Sequence, residues 1–151
     1  MSMIVSPAEF HISIRVSDLE ESTAFYTRFL DTEPKDKTPR FSTFVVPELR
    51  LNLVLLVNDN GKPLDTYSLY HLGLGVADKA AVVESYFRAK AQGVPIVKPP
   101  RTTWRGKPLH EWWLRDPTGY GIEVYARLNA DELAVMPADQ EPTFLVPGTG
   151  P

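Results

Sequence analysis

One nine-residue pattern occurs twice in this chain, and each copy places a histidine second. Phe10-His11-Ile12-Ser13-Ile14-Arg15-Val16-Ser17-Asp18 returns 60 residues later as Tyr70-His71-Leu72-Gly73-Leu74-Gly75-Val76-Ala77-Asp78. The 151 residues hold only three histidines, so two at equivalent positions tie the repeat to chemistry as well as to architecture. A repeat constrains the fold ahead of any local reading, because each copy must build the same supersecondary unit. Tyr86 follows Tyr26 by the same interval, which carries the repeat into the next element.

In the first copy, Ile12, Ile14 and Val16 alternate with His11, Ser13 and Arg15, the pattern of a strand over 10–16 with one apolar face. Ser17 and Glu20 have capping-box spacing and predict a helix from Asp18 to near Asp31, with Leu19, Tyr26, Phe29 and Leu30 at helical intervals. Extended segments follow at about 33–38, 40–46 and 50–57. Residues 58–66, rich in turn formers, read as a linker. The second copy repeats the order. Strand 70–76 leads to a helix over 79–92, capped by Asp78 and ended by Gly93. Strands near 94–99, 109–115 and 121–128 complete it, with Asp116-Pro117-Thr118-Gly119 as a tight turn. Residues 100–108 read as an inserted loop.

A strand–helix–strand–strand–strand unit used twice predicts α+β class: two βαβββ modules forming a curved mixed sheet, helices on its convex face and a concave pocket opposite. The reading is one domain over 1–128, with module one at 8–57 and module two at 68–128. A C-terminal tail, 129–151, has one or two helical turns and then Pro-rich extended chain, with no function assigned. Each module of about 60 residues sits at the lower edge of independent stability, so the halves are expected to share a core or to exchange partners in a homodimer.

Composition narrows the function classes. A formal net charge of −3 and no basic run argue against nucleic-acid binding. No apolar run approaches the roughly 20 residues that span a bilayer. The start MSMIVSPAEF lacks a signal peptide's basic and apolar regions, so a cytoplasmic location is expected. The absence of cysteine excludes disulfides, thiolate metal ligands and cysteine nucleophiles.

In the last strand, Ile122 and Val124 alternate with Glu123 and Tyr125. If the apolar pair packs on the helices, Glu123 turns into the concavity with His11 and His71. Two imidazoles and one carboxylate from three strands make a facial triad suited to Fe(II), Mn(II) or Zn(II), with positions left open for substrate. Repeat symmetry points to a fourth corner near Asn52, but an amide is a poor ligand for these metals, so Asn52 is assigned to the substrate. Arg15, Arg115 and Arg127 share the inward face, where they would bind an anionic substrate or pair with Glu111. Tyr125 is the acid–base candidate. His110 alternates with Trp112 and Leu114 onto the convex side and is left out of the site.

The segments FHISIRVSDLEESTAFYTRFL, YHLGLGVAD and WWLRDPTGYGIEVY resemble the vicinal oxygen chelate superfamily, which includes glyoxalase I, extradiol dioxygenases, fosfomycin-resistance thiol transferases and bleomycin-resistance proteins. The resemblance covers about residues 8–128. It implies that His11, His71 and Glu123 are the metal ligands, a set similar to that of the dioxygenases and fosfomycin transferases. Glyoxalase I usually has a further Glu in the first module, where this chain offers Asn52 or Leu53. The resemblance also implies that Lys98 contacts substrate and that Trp113 stands where relatives place a substrate-facing Tyr. The first module and the ending are similar to the cadmium-induced and carbon–arsenic lyase branch. That branch holds trivalent arsenicals through a thiol pair, which this chain lacks.

The reading is thus a divalent-metal-dependent enzyme that chelates neighbouring oxygens of a small-molecule substrate. Dioxygenase, lyase, isomerase and thiol-transferase chemistry all fit the ligand set. The alternative is a metal-independent protein that binds and sequesters an antibiotic.

Overall fold

A computed structural model describes residues 1–151. The chain divides into two compact units, Met1–Leu64 and Asp65–Pro151. In the first, β1 (Ile12–Val16), α1 (Leu19–Leu30), β2 (Asp36–Lys37), β3 (Phe41–Val46) and β4 (Leu51–Val57) follow in order, with a single 3-10 turn at Pro47–Leu49. The sheet order is β1-β4-β3-β2, with β1 parallel to β4 and the other pairs antiparallel.

The second unit contains β5 (Leu72–Gly75), α2 (Lys79–Ala91), β6 (Ile96–Thr103), β7 (Leu109–Arg115) and β8 (Gly121–Arg127), then α3 (Ala130–Leu133) and β9 (Thr143–Phe144). Its order is β5-β8-β7-β6-β9, again with the opening strand parallel to the fourth. The class is α+β, and the βαβββ unit occurs twice. The expected curved sheet takes the form of two separately hydrogen-bonded sheets, because each opening strand pairs with the last strand of its own module. No helix is long and apolar enough to cross a membrane.

Each helix covers the apolar face of its own sheet. On α1, Phe25 and Tyr26 are buried, and the Tyr26 ring lies 6.2 Å from Phe44 of β3, above the buried Leu53 and Leu55 of β4. On α2, Val82, Tyr86 and Ala89 are buried. Trp112 of β7 stands edge-on to Tyr86 at 6.0 Å and donates its indole N–H to Ser85 Oγ at 3.1 Å. Burying side chains of this size contributes about 1.5–3 kcal/mol each.

Local chemistry departs from expectation in three places. The cap of α1 is Asp18, whose carboxylate accepts the Glu21 N–H at 2.9 Å, and Ser17, the expected cap, lies one residue before it. Asp is as strong an N-cap as Ser, so Asp18, expected as the first helical residue, serves as the cap itself. Second, β6 runs on through the expected loop to Thr103. Its pairing with β7 is irregular between Ile96 and Arg101, the stretch containing Pro99 and Pro100, which have no N–H to give to a ladder. Third, the tail is part of the second sheet. Asn129 and Glu132 form a capping box at α3, and β9 pairs with the outer edge of β6. The buried His110 ring bonds Thr102 Oγ1 through Nδ1 at 2.8 Å and the Glu132 carboxylate through Nε2, tying α3 to β7.

Candidate functional site

The turn between β7 and β8 sets the register on which the site depends. Asp116 Oδ1 accepts the N–H groups of Thr118, Gly119 and Tyr120 at 3.0, 2.9 and 2.9 Å, and Gly119 takes φ +107°, which a side chain would strain. The hairpin so fixed pairs Trp113 with Glu123 and Glu111 with Tyr125. Neighbouring strands extend these pairs into two rows. One is Gly73, Glu123, Trp113 and Lys98; the next is Gly75, Tyr125, Glu111 and Arg101. Both rows lie on the face away from α2, since the alternate residues Leu74, Val124 and Trp112 point to the helix side. Gly73 and Gly75 leave room for the Tyr125 ring, which would sit 3.4 Å from a Cβ at either position.

His71 immediately precedes β5, and its Nε2 lies 3.0 Å from Glu123 Oε2. The other polar atom of each side chain, His71 Nδ1 and Glu123 Oε1, is buried without a hydrogen-bond partner. Burial first, and the Glu111 carboxylate second, push the Glu123 carboxyl up to about 7, against a downward pull from Lys98. A carboxylate desolvated beside another carboxylate is a site with a deficit of positive charge. The donor set and the orphaned oxygen fit a divalent cation.

Aromatic rings enclose this pair. The Trp113 and Tyr70 rings each stand edge-on to His71 at 4.7 Å and stack on each other at 6.0 Å. Lys98 Nζ lies 5.0 Å over the Trp113 ring. Arg127 lies 5.6 Å over the Tyr125 ring. Arg115 donates to the Gly119 carbonyl at 3.2 Å and borders a cleft of about 620 Å³ with Tyr67, Ser68 and Tyr70. Of the predicted residues, the second unit therefore groups His71, Glu123, Trp113 and Lys98, with Tyr125 in the adjoining row.

The first unit holds the other candidates. His11 is exposed immediately before β1, as His71 stands before β5. Arg15 donates to the Val57 carbonyl at 2.9 Å and lies 3.5 Å from Asp59. The register corrects the symmetry argument that led to Asn52. Gly73, two residues after His71, faces Glu123, whereas Ser13, two residues after His11, faces Val54. The counterpart of Glu123 is therefore Val54, and the first unit has no carboxylate at that corner. Neither unit by itself gathers three His, Asp or Glu side chains able to hold a metal.

Three residues beside the predicted set were given no site role by the sequence: Tyr70, Glu111, which was read only as an arginine's partner, and Arg101. Tyr70 was visible as the aromatic residue opening the second repeat, and Glu111 shares the Trp113 face by alternation. Glu111 pairs with Arg101, not with Arg15, Arg115 or Arg127. Arg101 was hidden because its segment, 100–108, read as an inserted loop.

Comparison with known proteins bears on this arrangement. Residues 10–124 match the model of the Glyoxalase/Bleomycin resistance protein/Dioxygenase superfamily. A trivalent organoarsenical cleaving enzyme of Thermomonospora curvata is 34% identical over 124 residues, covering 82% of this chain and 80% of its own length. The cadmium-induced protein CadI of Mycobacterium bovis is 31% identical over 121 residues, covering 80% of this chain and 77% of its own. In fold, the chain is similar to the crystal structure of a glyoxalase/bleomycin resistance protein/dioxygenase from Alicyclobacillus acidocaldarius. That likeness has a TM-score of 0.66 at 23% identity, over 83% of this chain and 95% of the other.

Proposed function

The chain belongs to the Glyoxalase/Bleomycin resistance protein/Dioxygenase superfamily, and on that footing we propose that it is a divalent-metal-dependent enzyme acting on a small molecule. His11, His71 and Glu123 would hold the ion, which is Fe(II), Mn(II) or Zn(II) by the donor set. The observation that carries this reading is the His71–Glu123 pair, with its buried, unpartnered carboxylate oxygen. When bound, the cation would supply Lewis acidity toward two neighbouring substrate oxygens.

The chain's own residues divide the remaining work. Trp113 offers a ring face for a planar substrate, and Lys98 offers a cation beside it for a substrate anion. Arg15 and Arg115 would add polar contacts at the substrate's periphery. Tyr125 carries the hydroxyl placed to hold or move a proton, one row from Glu123. Its ring lies over the backbone of Gly73 and Gly75.

The organoarsenical cleavage in a relative's name does not transfer. A trivalent arsenical is soft and seeks thiolates, and this chain has no cysteine. A harder, oxygen-bearing substrate is the better match.

The experiment is elemental analysis of protein purified without chelator, then titration with Fe(II), Mn(II) and Zn(II). About one ion per site is expected, with affinity lost in His71→Ala. Wild type that binds no more tightly than His71→Ala would remove the basis of the proposal.

A further inference from the structure

Glu111 is a buried carboxylate that neither the family match nor the proposed ligand set employs. It lies beside the Glu123 carboxylate and is held by two donors. Arg101 donates to Oε1 through both Nε and Nη2, at 3.2 and 3.1 Å, and the Trp113 indole N–H donates to Oε2 at 2.8 Å. One oxygen is thus gripped by a planar fork while the other holds a ring. That ring is the one standing edge-on to His71 and beneath Lys98.

We infer that Arg101 and Glu111 are positioning residues for the site, setting Trp113 as a fixed wall against the His71 imidazole and Glu123. The inference rests on the metal reading above and goes beyond it by assigning a role to a pair outside the ligands. The physical argument has two parts. A ring held only by packing can rotate about its side-chain torsions, whereas an indole whose N–H is bonded to an immobilised carboxylate cannot turn without breaking a charge-assisted bond. Arg101 also supplies the compensating charge that lets a second buried carboxylate stand next to Glu123. A lysine in its place would keep the charge and lose the two-pronged geometry.

The test uses the full chain and Co(II) as the probe, read by titration and by its visible absorption bands. Glu132→Gln is the control, because Glu132 bonds His110 on the opposite face of β7 and should alter stability alone. Arg101→Met and Glu111→Gln are expected to weaken Co(II) binding by about 10–100-fold, the range for outer groups that orient metal ligands, and to shift its absorption bands. Arg101→Lys should fall between wild type and Arg101→Met, and it carries the test if the harsher variants do not fold. Wild-type affinity and bands in Arg101→Met, Glu111→Gln and Arg101→Lys, with only a lowered melting temperature, would overturn the inference and leave the metal reading standing. A wild type that binds no Co(II) would bring down both.

Discussion

His71 Nε2, just before β5, and Glu123 Oε2 of β8 stand 3.0 Å apart although 52 residues separate them in sequence. The contact follows from register: Gly73, two residues after His71, faces Glu123 across the β5–β8 ladder. Two donors meet at a point where each still has an unsatisfied atom.

If Glu123 is a ligand, Glu123→Gln should lose metal affinity outright while Tyr125→Phe keeps it and loses turnover only. Saturating metal should raise the melting temperature of the wild type and of Tyr125→Phe by linkage, and hardly that of Glu123→Gln. Equal metal-induced shifts in all three proteins would exclude Glu123 as a ligand.

The metal-free protein should show a pH-dependent stability traceable to the same side chain. Its folded carboxyl, at about 7, binds a proton more tightly than the reference carboxyl at 4.5. The stabilising contribution is therefore fully present below the lower value and is lost as pH rises through the higher one. The slope is at most about 1.4 kcal/mol per pH unit. Urea unfolding between about pH 5 and about pH 8 measures it, as the difference between wild type and Glu123→Gln. A difference that grew with pH in the opposite sense would refute the assignment.

Assembly is a separate matter. Phe10 and Tyr70, the aromatic residues that open the two repeats, are 77% and 78% exposed in the single chain. We expect a homodimer that covers them, and sedimentation at micromolar concentration should return twice the mass of one chain. A clean monomer would count against any site shared between copies.

Helix capping gives a prediction independent of chemistry. Asp18 and Asp78 accept the Glu21 and Ala81 N–H groups at 2.9 and 2.8 Å. Asp18→Ala and Asp78→Ala should each cost about 1 kcal/mol, with Asp18→Asn retaining most of the cap. Chemical denaturation with unchanged m-values would read these differences directly.

Much of this was visible in the residues, and what was not has identifiable causes. Alternation in Ile12–Val16 and Gly121–Arg127 showed which side chains share a face, which puts Glu123 and Tyr125 together, while the family resemblance pointed to Trp113. Gly93 marked the end of α2 correctly, since it takes φ +75° just beyond the cap. What alternation cannot supply is register, because a partner strand may slide by two residues without changing any face. Hence Asn52 was chosen where Val54 stands. Nor does local pattern foresee a strand carried across two prolines by irregular pairing, and with that strand went Arg101. The tail was illegible for a related reason: two residues of β-bridge have no periodicity to read.

That tail has a practical consequence. The family match stops at residue 124, in the middle of β8, while the sheet it belongs to is finished by Thr143 and Phe144 on the far side of β6. A fragment cut to the matched span would end inside a central strand and leave the β6 edge bare, with its unpaired N–H and C=O groups open to any passing strand. Such a fragment should precipitate or associate whatever becomes of its chemistry. Inactivity in it would therefore speak about sheet edges and say nothing about His71 and Glu123.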